Sequence, residues 1–338
     1  MNRGRLILIT VFLVAVFLLV YEAIWAPNTF EGDSFITVSK GENFAQVVDS
    51  LKSAGIIRSQ ILFKFAGKIL GLTTRMKIGK YRLKSGTSNQ EILEDLQDGK
   101  SIEPVTITII EGMRASRQAK ILHKALGIDS ARFMALVNDS SFTHSHGVNA
   151  NNLLGYLMPN TYKFEWQVDE ESVITEMVRE FWTVFDDTLK NRAEKLGMSI
   201  NEILTLASII ELETGIDSER AVIAGVYYNR LKNGMRLQAD PTIQYIIEDG
   251  PRRLTYSDLQ RESEYNTYRH YGLPPGPINN PGQASIMAAL YPIKHKYFYF
   301  VANGEGGHTF SRNYSQHQRA VQRYRKLREV QQAMKEQG

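Results

Sequence analysis

Residues 199–215 read SINEILTLASIIELETG, and the reading of this stretch organises the rest of the chain. Ser199 followed three residues later by Glu202 fits a capping box, which predicts a helix from Ile200. Apolar residues (Ile203, Leu204, Leu206, Ala207, Ile209, Ile210 and Leu212) occur on almost every side of it. Such a helix belongs inside a core and not on a surface. Gly215 stops it, so Glu211 and Glu213 fall in its last turn. Two residues subtend about 200° on a helix, and the two carboxylates therefore face different surroundings. The negative end of the helix dipole and apolar walls both raise a carboxyl pKa, which a general acid near neutral pH requires. The plainer reading makes one glutamate solvated and the other a structural partner of an arginine such as Arg220 or Arg230. Periodicity does not choose between Glu211 and Glu213.

A buried helix of this kind needs a domain around it, and 338 residues with 43% hydrophobic content allow two or three. The composition excludes a mainly disordered, collagen-like or multi-span membrane protein. The absence of cysteine excludes disulfide scaffolds, thiolate metal sites and cysteine nucleophiles. A formal net charge of +4 is mild and spread along the chain, giving no argument for nucleic acid.

At the N-terminus, Leu6 to Val20 is almost wholly apolar and extends through Trp25 and Ala26 with only Glu22 interrupting. That length crosses a bilayer once. Arg3 and Arg5 precede it, so the positive-inside bias puts residues 1–5 in the cytoplasm as a tail, 6–26 in the membrane as an anchor, and everything beyond on the far side. A cleaved signal peptide is the rival; no clean small-x-small site follows the tract. Residues 27–34 read as a linker. From 35 to 103 the patterns predict a small module: a strand at Phe35–Val38, helices from Asn43 and over Ile57–Leu70, a strand at Lys77–Leu83, and a helix capped by Thr87-Ser88-Asn89 and running through Leu96. The remaining 104–338 begins with a β-branched strand at Val105–Ile110. It continues with helices over Arg117–Leu126 and Ser130–Asn138, and one long amphipathic helix from Val168 to Leu196. The fold class is α+β.

Downstream of Gly215, after a helix over Ala221–Leu231, come polar, aromatic and proline-rich loops: Gly234–Thr242, Glu264–Tyr268 and Gly272–Gly282. Loops pre-set by proline commonly carry function. Asp240-Pro241 reads as a tight turn in which Asp240 bonds its own backbone. Tyr297–Val301 and His308–Phe310 predict a hairpin. Aromatic faces with amide donors and acceptors suit a sugar polymer; the plainer reading is that the tyrosines pack. His144 and His146 stand in a polar stretch with no third ligand nearby, so no metal is expected. Gln316–Lys335, with Arg319, Arg323, Arg325, Lys326 and Arg328, reads as a solvated helix, with binding of an anionic polymer or lipid head groups as the rival reading.

Several blocks resemble a known family. They are Glu111-Gly112-Met113, Gly155–Tyr162, Ala207–Thr214, Asn229-Arg230-Leu231, Met235–Thr242, Tyr265–Tyr268, Gly272–Gly276 and Gly306–Phe310. In this order they resemble the YceG-like endolytic murein transglycosylases. The resemblance implies that Glu213 is the catalytic glutamate, that 35–103 is a LysM-like glycan-binding module, and that 104–338 is the catalytic region with its core at about 155–320. It also implies cleavage of the β-1,4 bond between N-acetylmuramic acid and N-acetylglucosamine inside nascent peptidoglycan strands. Such cleavage leaves 1,6-anhydro ends and limits strand length. Glycan polymerases and penicillin-binding proteins are the expected partners, the outer face of the cell inner membrane (the periplasmic side) the expected location, and no cofactor is implied. Leu212 and Ala239 depart slightly from the family pattern. Gln238, Tyr265, Asn266 and Tyr268 are expected to contact sugars, with Asp240 supporting and His308 either contacting substrate or closing its hairpin. Two rivals remain at this level: a non-catalytic glycan-binding scaffold, and a muramidase hydrolysing the same bond with Asp240 as its second carboxylate.

Overall fold

The computed structural model describes residues 3–247 and 250–336, with side chains described as far as residue 331. Met1 and Asn2 of the expected tail, and Glu248, Asp249, Gln337 and Gly338 of the expected catalytic region, lie outside the described residues. The chain is α+β, helices predominating, and its described strands form three two-stranded sheets. It divides into two units. One comprises residues up to Ile107 with Leu122–Ile128 and Tyr162–Asp169; the other holds Thr108–Ile121, Asp129–Thr161 and everything from Glu170.

The first unit opens with the apolar helix α1 (Arg3–Ile24), long and apolar enough to cross a membrane. Then follow β1 (Asp33–Val38), α2 (Phe44–Ser53), α3 (Gln60–Leu70), β2 (Gly79–Lys84) and α4 (Asn89–Asp98). Asn43 and Ser88 close capping boxes with Gln46 and Glu91, and Ser59 caps α3. β1 and β2 pair antiparallel from Asp33↔Lys84 to Val38↔Gly79. Alternation on these strands sends Ile36, Val38, Tyr81 and Leu83 inward, onto Val47, Leu51, Phe63, Ile92 and Leu96 from the helices. The buried Tyr81 hydroxyl is spent on the carbonyls of Lys77 (2.7 Å) and Leu96 (3.1 Å). Residues 27–34 are closely tied to this unit. The Asn28 backbone N–H bonds the Thr87 carbonyl, its side-chain amide bonds Asn89, and Asn89 in turn donates to the carbonyl of Ala23 in α1.

β3 (Val105–Thr108), α5 (Ala115–Leu126) and β4 (Thr161–Phe164) each contribute to both units, and β3 pairs with β4. The second unit contains α6 (Ser130–Val137) and α7 (Ser140–Ser145), followed by α8 (Glu170–Val184), α9 (Asp187–Leu196), α10 (Ile200–Glu213), α11 (Asp217–Lys232), α12 (Asp240–Ile246) and α13 (Gln283–Leu290). The hairpin β5 (Tyr299–Ala302) and β6 (His308–Ser311) and the long α14 (Tyr314–Glu336) complete it. The helix expected over 168–196 is two: the chain breaks at the buried Phe185, and Asp186 caps α9 by accepting from the Leu189 N–H at 3.0 Å. Amphipathic periodicity runs through such a break because each helix buries one face, α8 against α6 and α9 against α10 and α13. The polar stretch 138–152 hides α7, capped by Asp139.

At the centre lies α10. Residues Ile203 to Ile210 are buried on all sides, and α11, α12 and α13 pack around it. The capping box of Ser199 and Glu202 starts it, and Thr214 turns extended to end it.

Candidate active site

Glu211 and Glu213 diverge as helical geometry requires. Glu211 turns into the protein, where its carboxylate meets Arg220 of α11 at 3.0 Å, both side chains being at least nine-tenths buried. Its second oxygen accepts the Gly282 N–H at 2.8 Å, and Arg220 also donates to Ser285 at 2.6 Å. Glu211 is thus committed to fixing the end of α10 against the start of α13. Glu213, half-buried, lines two clefts that share it and Asp240, and a third hollow beside Thr214 and Gly215.

The first cleft, about 430 Å³, is bounded by Tyr227 and Arg230 of α11, Gln238 and Tyr268 from loops, Tyr299 of β5 and His308 of β6. The second, about 710 Å³, runs past Glu111, Arg114 and Arg117, and then Gln244 and Tyr245 of α12. Glu213 and Asp240 line both. Together they form an open trough that shares the Glu213 and Asp240 carboxyl groups.

Burial pushes the Glu213 carboxyl up to about 7 and the nearby Asp240 charge adds to this; the Tyr227 hydrogen bond and the Arg230 charge oppose it. Tyr227 is fully buried and donates its hydroxyl to Glu213 Oε1 at 2.5 Å; its own pKa is driven well above normal by burial and by that carboxyl group. Arg230 has no carboxylate partner among the described residues. It donates to the carbonyls of Phe298 (2.7 Å) and Leu237 (2.6 Å) and lies over the Tyr299 ring, joining the hairpin to the loop that carries Gln238.

The asparagines and glycines of the sequence blocks act at the back of the trough. Ser208 of α10 accepts from the Ile278 N–H, and its carbonyl accepts from the Asn279 side chain. Asn280 bonds Gly155 N–H at 2.7 Å and Gln118 at 2.9 Å, and its backbone pairs with Met113. Gly155 has φ of +94°, and a Cβ there would stand 2.5 Å from Pro277. These contacts hold the proline-rich loop against α10.

Not every residue expected to touch sugar is in the trough. Gln238, Asp240, Tyr268 and His308 line it. Asn266 does not: it is wholly buried, its amide donating to the carbonyls of Leu259 and Arg261 and its oxygen accepting from the Tyr268 N–H. It shapes the loop that presents Tyr268. Tyr265 packs on Tyr245 at 4.8 Å and lines a separate small cavity with Asn201 and Pro275. Asp240 opens α12 and is not in a free tight turn; its carboxylate accepts from the Tyr268 hydroxyl, not from its own backbone. His308 is held by Glu219, through its ring Nδ1 at 2.7 Å and its backbone N–H at 2.8 Å. Sequence reasoning missed Tyr227, Tyr299 and His317 as lining residues. Their one signal, an aromatic or imidazole at helix or strand spacing, is shared with ordinary core residues. No group of three or more His, Asp or Glu residues suited to a metal occurs among the described residues.

A family model described as the YceG-like family matches residues 36–323. The chain belongs to this family. Among YceG-like relatives, the endolytic murein transglycosylase of Bacillus subtilis is 32% identical over 304 residues, covering 86% of this chain and 84% of that protein. The endolytic murein transglycosylase of Streptococcus pneumoniae R6 is 29% identical over 331 residues; the match takes in 87% of this chain but only 59% of that longer protein. A crystal structure of a YceG-like protein from Listeria monocytogenes superposes with a TM-score of 0.63 at 32% identity, covering 86% of this chain and 99% of that one.

Proposed function

We propose that this protein is a membrane-anchored endolytic transglycosylase that cuts inside peptidoglycan glycan strands, with Glu213 as its single catalytic acid and base. The observation that carries this reading is a carboxyl group with a pKa raised to about 7 at the junction of two open clefts, in a chain of the YceG-like family. A trough open on both sides of the reacting group suits cleavage within a strand.

With Oε1 engaged by Tyr227, the Glu213 proton belongs on Oε2, where it can reach a glycosidic oxygen. Donation breaks the bond from the muramyl anomeric carbon to that oxygen, and the departing sugar leaves with a hydroxyl. The muramyl C6 hydroxyl then attacks the same anomeric carbon, and Glu213, now a carboxylate, takes the C6 proton. The strand gains a 1,6-anhydro end, no water is consumed, and the acid is regenerated. A pKa near the working pH serves both halves of such a cycle. Gln238, Asp240, Tyr268 and His308 are the proposed sugar contacts, Tyr268 and Asp240 acting as one hydrogen-bonded pair.

α1 supports a single-pass anchor with its N-terminus in the cytoplasm and the trough on the outer face of the inner membrane, where new strands emerge. Glycan polymerases and penicillin-binding proteins are the proposed partners there. The β1–β2 sheet with its helices, which takes in most of the expected 35–103 segment and begins two residues before it, is the proposed LysM-like glycan-binding module.

Mass spectrometry of un-crosslinked glycan strands treated with the full chain in detergent, beside its Glu213→Gln variant, tests the proposal. Internal 1,6-anhydro ends from the wild type alone support it. Reducing muramic ends would establish a muramidase, and no cleavage by either would leave a glycan-binding scaffold.

A further inference from the structure

Helix α3 carries an apolar stripe that nothing in its own unit covers. Ile61, Phe65 and Ile69 recur every four residues and are 79%, 40% and 52% exposed, while Phe63 and Ala66 on the opposite side are buried. Lys64 and Lys68, both exposed, run alongside the stripe. Scattered exposed leucines are ordinary; three large apolar side chains aligned on one helix face are not.

The position of α3 says what covers the stripe. α3 packs against α1, and the residues of α1 that lose exposure are those of its last turns, Val20, Ala23 and Ile24. The rest of α1 remains exposed along its length. The junction is tied by an ion pair between Arg58 and Glu22 at 2.8 Å, by Arg58 donating to the Pro27 carbonyl, and by Asn89 donating to the Ala23 carbonyl at 2.8 Å. At about 1.5 Å per residue the 22 residues of α1 span about 33 Å, close to a hydrocarbon core. Its final turns and the residue that follows them, with Tyr21 and Trp25 half-exposed, therefore belong at the membrane boundary. α3 is fastened to those turns.

We infer that α3 lies in the outer interface of the bilayer, Ile61, Phe65 and Ile69 entering the boundary between headgroups and acyl chains, and Lys64 and Lys68 meeting anionic headgroups. This rests on the proposed membrane anchor. An amphipathic helix with lysines flanking its apolar face binds an anionic surface in this manner, at a depth of about 5–10 Å. The consequence is orientation: two contacts, one spanning and one lying flat, hold the first unit in a fixed attitude to the membrane, where a single helix would let it swivel.

The chain has no cysteine, so single labels are clean. Ile61→Cys, Phe65→Cys, Ile69→Cys and, within the span, Val14→Cys are each labelled with an environment-sensitive fluorophore. The labelled full-length chains are reconstituted in phosphatidylethanolamine–phosphatidylglycerol vesicles carrying shallow or deep nitroxide lipids. The expected result is quenching of all three α3 labels by the shallow quencher and of Val14 by the deep one. Lys64→Glu with Lys68→Glu should lower the docked fraction of the Phe65 label by about fivefold or more in anionic vesicles and leave it unchanged in neutral ones. A quenched Val14 label beside solvent-exposed α3 labels overturns the inference while the anchor stands. An unquenched Val14 label overturns the anchor and the inference with it. α3 labels that are exposed in vesicles but shielded in native membranes would assign the stripe to a protein partner instead, which also overturns it.

Discussion

The Tyr227 hydroxyl donates to Oε1 of Glu213 at 2.5 Å from a fully buried position on α11. One oxygen of the carboxyl group is thereby fixed, and the hydrogen bond moderates a pKa that burial raises. Tyr227→Phe removes the bond that favours the carboxylate, so the Glu213 pKa climbs further above about 7. In a profile of kcat against pH, the alkaline limb, where the acid form is lost, should move to higher pH. The maximum rate should fall about tenfold, the equivalent of one hydrogen bond to a charged group. An unmoved limb would detach Tyr227 from the chemistry.

Glu213→Gln should lower strand cleavage by about 10²–10⁴-fold, the usual worth of a positioned acid and base. It should also stabilise the fold under alkaline conditions. A carboxyl group whose pKa rises from 4.5 unfolded to about 7 folded binds its proton more tightly in the native state. The native state is therefore at no disadvantage below about pH 4.5 and loses stability as pH climbs through about 7. Urea titrations should find the glutamine variant more stable by about 1–3 kcal/mol at pH 8.5, with the difference vanishing near pH 4.

Arg220→Met leaves Glu211 buried without its counter-charge and should cost about 3–5 kcal/mol. The double change Arg220→Met with Glu211→Leu should recover much of that loss, because apolar side chains can replace a buried pair at little cost. A double-mutant cycle measured by denaturant unfolding reads the coupling directly; additive single and double values would contradict the pairing.

Gly155→Ala places a Cβ 2.5 Å from the Pro277 ring at a φ of +94°. Because Pro277 is rigid and the left-handed backbone disfavours any side chain, stability should fall by about 1–3 kcal/mol. The proline-rich loop leans on α10 at this point, so cleavage activity should fall as well. Differential scanning calorimetry and a product assay on the same preparation check both.

Local chemistry alone was enough to delimit most elements. The capping box at Ser199 began α10 where the spacing predicted, and α4 begins within the expected cap Thr87-Ser88-Asn89, of which the structure uses Ser88. The β5–β6 hairpin follows from an aromatic strand, a glycine turn and its return. A long apolar run, broken only by Glu22 near its end, marked α1. In each case the forces act between residues a few positions apart, so the pattern is complete within the segment. Period-based reading failed where distant contacts intervened: the 168–196 helix breaks at Phe185, beyond which α9 packs on α10 and α13, and the carboxylate of Asp240, at the start of α12, is taken by Tyr268, 28 residues away.

The opposed directions of Glu211 and Glu213 followed from residues 199–215 alone, since a helix separates such neighbours by a fixed angle. Which of the two turns inward was decided by tertiary structure. Arg220 lies nine residues on, Ser285 and the Gly282 N–H some seventy, and together they claim Glu211. Tyr227 and the two clefts claim Glu213. Asn266 makes the same point in reverse, a polar side chain suited to sugar that the fold spends on its own backbone. A carboxylate or an amide has the same donors and acceptors wherever it stands; only burial and the partners brought from distant parts of the chain decide whether they are used up inside the protein or left facing a cleft.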